Sequence, residues 1–308
     1  MLSCLDLYPE QRLIMTENAT NRIAGLPCWK HPVSIEPLSG GMTNLNFKIT
    51  DGDECFVVRL GEDDPVHLIS RRNEIASCEA AFAVGISPEL VYHEPGILVV
   101  RFIEGRVFSE ADVRDDDNLL RIVDLLNRFH HEVPARFDEV PVMFWVFQVL
   151  RHYHNLLAQG KSAHARRLPE LAQIGRELEA AVGPVEIVFG HNDLLAANFI
   201  DDGEQIWLID FDYAGFNSPL FDLSNLASNS ELSAGQEQTM LESYFGVSPN
   251  RATLSSYHAM KCASLLRETL WSMVSEIYSR VDMDFADYTL KNLTRFESAY
   301  AEYCKNYP

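Results

Sequence analysis

Two short segments in the second half of this 308-residue chain constrain its fold more than any other feature. The first is His191-Asn192-Asp193, followed five residues later by Asn198, and the second is Ile209-Asp210-Phe211. Enzymes that transfer phosphoryl groups use two carboxylates and one amide at this spacing around ATP and Mg²⁺. The spacing therefore predicts a fold that brings both segments to one phosphate-binding cleft.

The side chains of these segments suit distinct chemical roles. Phosphoryl transfer passes through a loose transition state, so the protein mainly positions the acceptor and neutralises charge. Asp193 is suited to take the proton of an acceptor hydroxyl, whereas Asn198 and Asp210 offer the oxygen ligands that Mg²⁺ prefers. His191 is expected to support the loop by packing and hydrogen bonding. We predict Asp193, Asn198 and Asp210 as catalytic residues, and Asn198 and Asp210 as the metal ligands.

Both segments resemble the signature motifs of the choline/ethanolamine kinases, within the wider aminoglycoside-phosphotransferase group of kinase-like folds. Residues 191–198 read HNDLLAAN and residues 209–222 read IDFDYAGFNSPLFD. The stretch Asp-Phe-Asp-Tyr-Ala with Asn217 and Asp222 behind it points to the choline kinase branch. In the N-terminal half, three shorter segments also match: residues 38–44, 57–60 and 99–105. The resemblance extends from about Pro37 to about Tyr303.

The resemblance implies an α+β chain with a two-lobed protein-kinase-like fold and the nucleotide between the lobes. Apolar patterns predict a small antiparallel β-sheet in the N-lobe, with strands at residues 33–38, 44–50, 55–60, 90–93 and 97–102. One main helix at residues 71–84 interrupts it, and a further helix is expected at residues 9–23. We place the N-lobe at residues 1–103, with its N-terminal helix inside residues 1–30.

Beyond the lobe boundary the apolar pattern becomes helical. Helices are predicted at residues 115–131, 143–158, 168–181 and over most of the chain from about residue 234. Short strands at residues 185–189 and 205–209 are expected to deliver the catalytic segments. The C-lobe, residues 104–308, is therefore expected to be larger and mostly helical.

A glycine-rich turn and the strand after it mark the expected nucleotide side. Glycines allow backbone amides to approach phosphate oxygens, although a Gly-Gly pair alone is more often an ordinary turn. The resemblance places a phosphate-binding cation at Arg59, with Glu74 as its ion partner. It also implies adenine hydrogen bonds to the backbone of the hinge between the lobes, at about residues 101–104. The expected ATP-binding residues are Gly40, Gly41, Thr43, Asn44, Arg59, Glu74, Arg101, Phe102 and Glu104.

The expected acceptor side combines carboxylates with aromatic rings. A quaternary ammonium over a ring face gains about 0.5–2 kcal/mol. Trp271 matches an aromatic of the family's choline site, although a helical tryptophan is usually core, and Glu268 shares its helix face. The expected substrate-binding residues are Asp193, Asp212, Glu268, Trp271 and Tyr288, with Phe285 as a further candidate. Tyr213 and Asn217 are expected to brace the catalytic loop, and Asp222 to anchor it through backbone hydrogen bonds.

Two positions depart from the family pattern. Asp212 stands where the family more often has a glutamate that reaches toward a second metal or the substrate's cationic head, and its side chain is one methylene shorter. Leu195 stands where some relatives have a polar residue. The reach of Asp212 is therefore in question, and the pocket wall near Leu195 is expected to be more apolar.

Composition limits the partners of the chain. Its net charge is −20, from 45 acidic and 25 basic residues, which disfavours nucleic acid and anionic membranes. An acidic surface would attract a cationic substrate, but it also keeps many proteins soluble. The six cysteines form no CxxC pair or Cys/His metal pattern, so we expect buried, reduced thiols in a cytoplasmic protein. No signal peptide is expected, and the longest apolar run, residues 140–150, is too short to span a bilayer.

The resemblance implies ATP- and Mg²⁺-dependent phosphorylation of a small cationic alcohol, with choline first. Ethanolamine is a close alternative because its ammonium donates hydrogen bonds to carboxylates. Thiamine and an aminoglycoside are further alternatives on the same scaffold. A non-catalytic, kinase-like nucleotide-binding protein is an alternative of another class, but such proteins usually lose a catalytic residue. An unrelated domain would require the matches in both halves to be accidental.

Overall fold

The structure is a computed structural model that describes residues 18–38, 44–279, 281 and 283–307. Most of the helix expected at residues 9–23 lies outside these residues, and residues 18–24 form helix α1. Its Ile23 is buried in a small apolar core beneath the N-terminal sheet, together with Phe47, Ile49, Phe56 and Val58. This core is separate from the large one that fills the rest of the molecule.

The N-terminal part of the chain folds into an antiparallel sheet with the strand order β1-β2-β3-β5-β4. Its strands are β1 (Ser34–Leu38), β2 (Leu45–Asp51), β3 (Glu54–Leu60), β4 (Leu90–Glu94) and β5 (Ile97–Arg101). Alternate residues of β2 and β3 are buried, as the period of a strand requires. Gly52, with φ +61°, supplies the left-handed backbone of the tight turn between them.

Helix α2 (Arg71–Phe82) connects β3 to β4 and brings a charged residue against the sheet. Its Glu74 is 1% exposed, whereas Ala80 and Ala81 at the other end pack into the large core. Gly85, with φ +72°, follows the helix in a conformation that favours glycine. The helix therefore fixes Glu74 toward the cleft while its far end is anchored in the C-terminal part.

The C-terminal part is mostly helical and packs around one long helix. Its helices are α3 (Glu110–Val113), α4 (Asp116–Glu132), α5 (Val146–Gln159), α6 (Leu168–Val182), α7 (Pro219–Asn229), α8 (Ala234–Phe245), α9 (Arg251–Tyr278) and α10 (Phe285–Asn306). Helix α9 contacts α5, α6, α7 and α10, and most of its second half is buried. A helix enclosed by neighbours in this way belongs to the core.

Five short strands hold the loops of the site. They are β6 (Arg106–Val107), β7 (Val188–Gly190), β8 (Phe199–Asp201), β9 (Ile206–Leu208) and β10 (Gly215–Asn217). Strands β6, β8 and β9 form one antiparallel sheet, and β7 pairs with β10 in another. The strands predicted at residues 185–189 and 205–209 are present but shorter. Strands β6, β8 and β10 were not predicted, because two or three residues are too few to show a period.

The structure confirms the predicted fold class: an antiparallel N-terminal sheet with one main helix, followed by a larger helical part. The division at residues 103 and 104 stays a prediction. Burial of all the cysteines was wrong, because Cys304 is exposed near the end of α10 and Cys28 and Cys55 are half-buried, whereas Cys78 and Cys262 are buried. Cys4 lies outside the described residues. Within the described ranges, every helix is too short or too polar to span a membrane.

Candidate active site

The loop after β7 is anchored by a buried carboxylate. Asp222, near the N-terminus of α7, accepts backbone hydrogen bonds from His191 and Asn192, both at 2.7 Å. His130 of α4 donates to the same carboxylate at 2.9 Å. Burial disfavours the charged form of Asp222, but the hydrogen bond and charge of His130 outweigh it and lower its pKa. The expected anchoring of the loop by Asp222 is therefore present.

The side chains of the loop complete its bracing. Asn192 has φ +66°, and its amide donates to the carbonyls of Tyr213 and Gly215 at 2.9 and 3.0 Å. Asn217 donates to the Asn192 side-chain oxygen at 3.0 Å. His191 donates through Nε2 to the carbonyl of Ile209 at 3.0 Å. These contacts fix the shape of the loop before any substrate binds.

The two predicted catalytic segments meet through Asn198. Its side-chain nitrogen donates to the carbonyl of Asp193 at 2.9 Å, and its own carbonyl accepts from the backbone N–H of Ile209 at 3.0 Å. The next residue, Asp210, has φ +70°, a strained conformation for a residue with a side chain. The structure thus brings Asp193, Asn198 and Asp210 together, and the expected metal ligand Asp210 is held in a strained backbone conformation.

Asp193 has the protonation behaviour of a general base. Its side chain is 23% exposed, and burial raises its pKa to about 7 although Arg267 lies nearby and opposes the rise. The Nη1 atom of Arg267 is 3.6 Å from Asp193 Oδ1, beyond hydrogen-bond distance. A base with a pKa near the working pH transfers protons most effectively. Asp193 is therefore poised to accept the proton of a hydroxyl group.

A cluster of five charged side chains lies on the nucleotide side. Arg59 Nη1 donates to Glu74 at 2.7 Å, to Asp210 at 2.8 Å and to Asp212 at 3.2 Å, so the expected Arg59–Glu74 ion pair forms. Arg71 donates to Glu74 at 2.5 Å and to Asp212 at 2.6 Å. Burial raises the pKa of Asp212 to about 6, with the negative charge of Asp210 adding to the rise. In Asp210 burial is outweighed by Arg59, and its pKa is lowered.

The sequence prediction missed Arg71 and Arg267. Arg71 is the first residue of α2, three residues before Glu74, a spacing that places both side chains on one helical face. Arg267 precedes Glu268 inside the buried second half of α9 and is 2% exposed. A charged residue within such a buried run needs a partner, and this signal was available in the sequence.

A cavity of about 390 Å³ opens between the sheet and the helical part. Arg59, Glu74, Asn198 and Asp210 line its charged end. The rest of its lining is mainly apolar and includes Leu38, Val57, Leu98, Val100, Phe102, Ile103, Ile200 and Phe211. A slot with an apolar body and a charged end fits a purine nucleotide with its phosphates at Arg59.

The remaining predicted nucleotide-binding residues divide into four groups. Arg101 and Phe102 line the cavity, but the Arg101 side chain binds Glu54 and Glu89 at the surface. Glu104 is 84% exposed and does not line the cavity, so its side chain takes no part there. Asn44 donates to Asp212 at 3.1 Å. The positions Gly40, Gly41 and Thr43 lie outside the described residues.

The predicted metal ligands suit Mg²⁺. Asn198 and Asp210 face the same cavity, and the Asp210 side chain is 29% exposed. Within the described ranges no three His, Cys, Asp or Glu side chains form a metal-binding group. Mg²⁺ is commonly held by one or two protein groups together with substrate phosphates. When bound, Mg²⁺ would neutralise phosphate charge, and Asn198 and Asp210 are the residues that would hold it.

On the side where the acceptor is expected, Glu268 is held by two neighbouring groups. Tyr288 donates its hydroxyl to Glu268 Oε1 at 2.7 Å, and Arg267 Nη1 donates to Oε2 at 2.9 Å. The guanidinium of Arg267 also lies over the Tyr213 ring, 4.4 Å from its centroid. The Glu268 side chain is 19% exposed. Glu268 and Asp193 are thus joined through one buried cation.

Three residues predicted to contact the substrate are engaged elsewhere. Trp271 is 5% exposed, donates its indole N–H to the Tyr213 hydroxyl at 3.0 Å, and packs against His67 with ring centroids 5.0 Å apart. Phe285 is also buried and contacts Trp271. Asp212 is 6% exposed and bound by arginines. The rings of Trp271 and Phe285 therefore belong to the core of the described structure.

This fold and site define a phosphotransferase of the protein-kinase-like class. The sequence matches the family model of the choline/ethanolamine kinases over residues 35–240, two thirds of its length. The chain belongs to the choline/ethanolamine kinase family. Among curated relatives, protein LicA of Haemophilus influenzae is 26% identical, over 82% of this chain and 76% of that protein. Ethanolamine kinase 2 of Mus musculus is 24% identical, over 88% and 77%.

Solved structures of the family share the same architecture. A choline/ethanolamine kinase family protein from Mesorhizobium loti superposes with a TM-score of 0.77 and 26% identity, covering 95% of this chain and 97% of that one. Choline kinase LicA from Streptococcus pneumoniae gives a TM-score of 0.74 at 22% identity, covering 94% and 99%. A LicA structure contains AMP, with a TM-score of 0.72. The predicted family and fold are confirmed.

Proposed function

We propose that this protein transfers the γ-phosphoryl group of ATP to the hydroxyl of a small amino alcohol. One observation carries the proposal: Asn198 links Asp193, whose pKa is about 7, to the segment of Asp210, which lines the nucleotide-sized cavity with Arg59. Asp193 orients the acceptor hydroxyl and takes its proton as the new P–O bond forms. Arg59 neutralises charge on the phosphates, and ADP leaves with the electrons of the broken bond.

Among amino alcohols we infer ethanolamine before choline, which reverses our ranking from the sequence. That ranking depended on the Trp271 ring, which is buried and hydrogen-bonded to Tyr213. Glu268 instead offers a partly exposed carboxylate. A primary ammonium donates hydrogen bonds to such a group, and a quaternary ammonium has no N–H to donate. Choline remains the second candidate, because a relative of similar fold is named a choline kinase.

The test is a graded series of acceptors with purified protein, ATP and Mg²⁺. Ethanolamine, N-methylethanolamine, N,N-dimethylethanolamine and choline lose N–H donors one at a time, so kcat/KM is expected to fall along the series. Thiamine and kanamycin complete the panel. A rising series would reverse the inferred acceptor order while leaving the phosphoryl transfer in place. Nucleotide binding without turnover of any acceptor would instead favour a non-catalytic binding protein.

A further inference from the structure

Both oxygens of Asp212 already accept hydrogen bonds, and very little of the side chain is exposed to a metal ion or a substrate. Its Oδ1 atom accepts from Arg71 at 2.6 Å and from Arg59 at 3.2 Å. Its Oδ2 atom accepts from the Asn44 side chain at 3.1 Å. The side chain is 6% exposed. Both oxygens are thus enclosed by donors from the N-terminal part of the chain.

Asp210, two residues earlier, is in a different position. Arg59 donates to its Oδ1 atom at 2.8 Å, and 29% of its side chain is exposed to the cleft. The Nη1 atom of Arg59 donates to three carboxylates, so its interaction with each of them is weaker than with a single partner. A cation that enters the cleft therefore reaches Asp210 and is screened from Asp212.

Arg71 is held by more than Asp212. Its Nε atom donates to the carbonyl of Glu62 at 3.1 Å, Nη1 donates to Glu74 at 2.5 Å, and Nη2 donates to the Asn44 side-chain oxygen at 2.7 Å. With Asp212 these are four side-chain hydrogen bonds to four residues. A cation that bound Asp212 would have to displace this guanidinium. The hydrogen bond from Arg71 to Asp212 is short and charge-assisted, and such bonds are strong.

Gly61 makes room for the contacts of Arg71 and Asn44 with Asp212. A Cβ atom at Gly61 would lie 2.4 Å from Asn44 Oδ1 and 3.1 Å from Arg71 Nη2. Any side chain at this position would push Asn44 and Arg71 away from Asp212. Gly61 therefore leaves the room in which Arg71 reaches the carboxylate.

We propose that Arg71 is a built-in cation that takes the place of a second metal ion at Asp212, so that the chain binds one catalytic metal, through Asn198 and Asp210. Kinase-like sites with two Mg²⁺ ions use the second to neutralise charge at the phosphates. Here the Arg71 guanidinium supplies one fixed positive charge at Asp212 without needing free metal. This inference rests on the proposed function, and it makes Arg71 a positioning residue for Asp212.

The primary test counts metal ions without relying on turnover. Mn²⁺ would be titrated into the wild-type protein with a saturating, non-hydrolysable ATP analogue, and bound Mn²⁺ followed by electron paramagnetic resonance. One Mn²⁺ per chain with the spectrum of an isolated ion is expected. Two ions about 3.5–4 Å apart would give a coupled spectrum. That result would overturn the inference and leave the kinase activity intact, whereas no nucleotide-dependent Mn²⁺ binding would overturn both proposals.

Variants of Arg71 test whether it excludes the second ion. Arg71→Met keeps the length of the side chain without its charge, and we expect it to bind two Mn²⁺ per chain. Arg71→Lys keeps the charge and should still bind one Mn²⁺ per chain. Arg72→Met is the matched control, because Arg72 is the adjacent residue, is 80% exposed and pairs with Glu139. Nucleotide affinity and thermal unfolding would establish that each variant is folded. One ion in folded Arg71→Met would show that Arg71 is not the excluding group.

Discussion

The two sides of the cleft hold an arginine next to a carboxylate, but the pairs differ in distance and in protonation. Arg59 lies 2.8 Å from Asp210, and the pKa of Asp210 is lowered. Arg267 lies 3.6 Å from Asp193, and the pKa of Asp193 is raised to about 7. Burial acts in the same direction on both carboxylates. The closer, hydrogen-bonded arginine therefore keeps one anionic, and the more distant arginine leaves the other free to exchange a proton.

The pairs also differ in how many N–H groups of the arginine have a hydrogen-bond partner. Arg59 and Arg71 have carboxylate partners at 2.5–3.2 Å. Arg267 is 2% exposed, and its Nε and Nη2 atoms have no hydrogen-bond partner in the described part of the chain. Leaving buried donors unpaired is costly. The arginines on the nucleotide side are thus held by close carboxylate partners. On the other side, Arg267 lies near Asp193 but does not keep it ionised.

The largest effect is expected from removing the base. Asp193→Asn keeps the shape of the side chain but cannot take a proton, so kcat should fall by about 10²–10⁴-fold. Nucleotide affinity should be retained, because Asp193 does not line the nucleotide cavity. Steady-state kinetics and isothermal titration with an ATP analogue would measure the two quantities. Asp124→Asn, an exposed aspartate of α4, is the matched control. Near-normal turnover of Asp193→Asn would contradict the assignment.

The pH profile of the wild type tests the raised pKa of Asp193. The carboxylate is the active form, so kcat/KM should rise through a midpoint at about pH 7. From pH 6 to pH 8 the ionised fraction grows from about one tenth to about nine tenths, so a roughly tenfold increase is expected. The residual activity of Asp193→Asn should lack this step. A wild-type midpoint near pH 4 would mean that Asp193 is not desolvated.

Stability should change with pH in the opposite direction. The folded-state pKa of Asp193 is raised above the ordinary value of 3.8, so the folded protein holds the proton more tightly than the unfolded chain. Its contribution to stability is therefore present below about pH 4 and is lost as the pH rises to about 7. The difference in free energy of unfolding between the wild type and Asp193→Asn, measured with urea, should decline over this interval. A constant difference would contradict the shift.

Some features of the fold and the site could be predicted from the sequence, and others could not. The meeting of Asp193, Asn198 and Asp210 was predictable, because their spacing fixes them on one loop and the strand beside it. The buried helix α7 was missed, because residues 219–228 are buried on every face and show no helical period. Trp271 could not be oriented for the same reason: α9 is buried all round at this point. Burial on all sides removes the signal that patterns provide.

The electrostatics could be predicted less well than the fold. A sequence gives the type of each charged residue, but the protonation of Asp193 and Asp210 depends on burial, on the distance to the nearest arginine, 3.6 and 2.8 Å, and on the other charges around each carboxylate. Tertiary packing alone sets such distances. Arg71 reaches Asp212 from 141 residues away in the chain. No local pattern contains that contact.

Changing Arg267 should move the protonation of Asp193 without removing the base. An arginine near an aspartate lowers the carboxyl pKa, so Arg267→Met should shift the midpoint of the pH profile upward by about one unit or more. At pH 7 this would lower kcat/KM by roughly fivefold. Arg267→Lys keeps the charge and should shift the midpoint less. If Arg267→Met loses activity equally at every pH, Arg267 acts through structure and not through charge.

The smallest expected effect tests whether the Glu268 carboxylate recognises the N–H groups of the acceptor. Tyr288→Phe removes the hydrogen bond to Glu268 but keeps the ring, and one such bond is worth about 0.5–1.5 kcal/mol, roughly 2–10-fold in affinity. If Glu268 binds N–H groups, KM should rise for ethanolamine and change little for choline. Tyr300→Phe is the matched control, because it removes another tyrosine–glutamate hydrogen bond of α10, to Glu177. An unchanged KM for ethanolamine would contradict a role of the Tyr288 hydrogen bond in holding Glu268 for the acceptor.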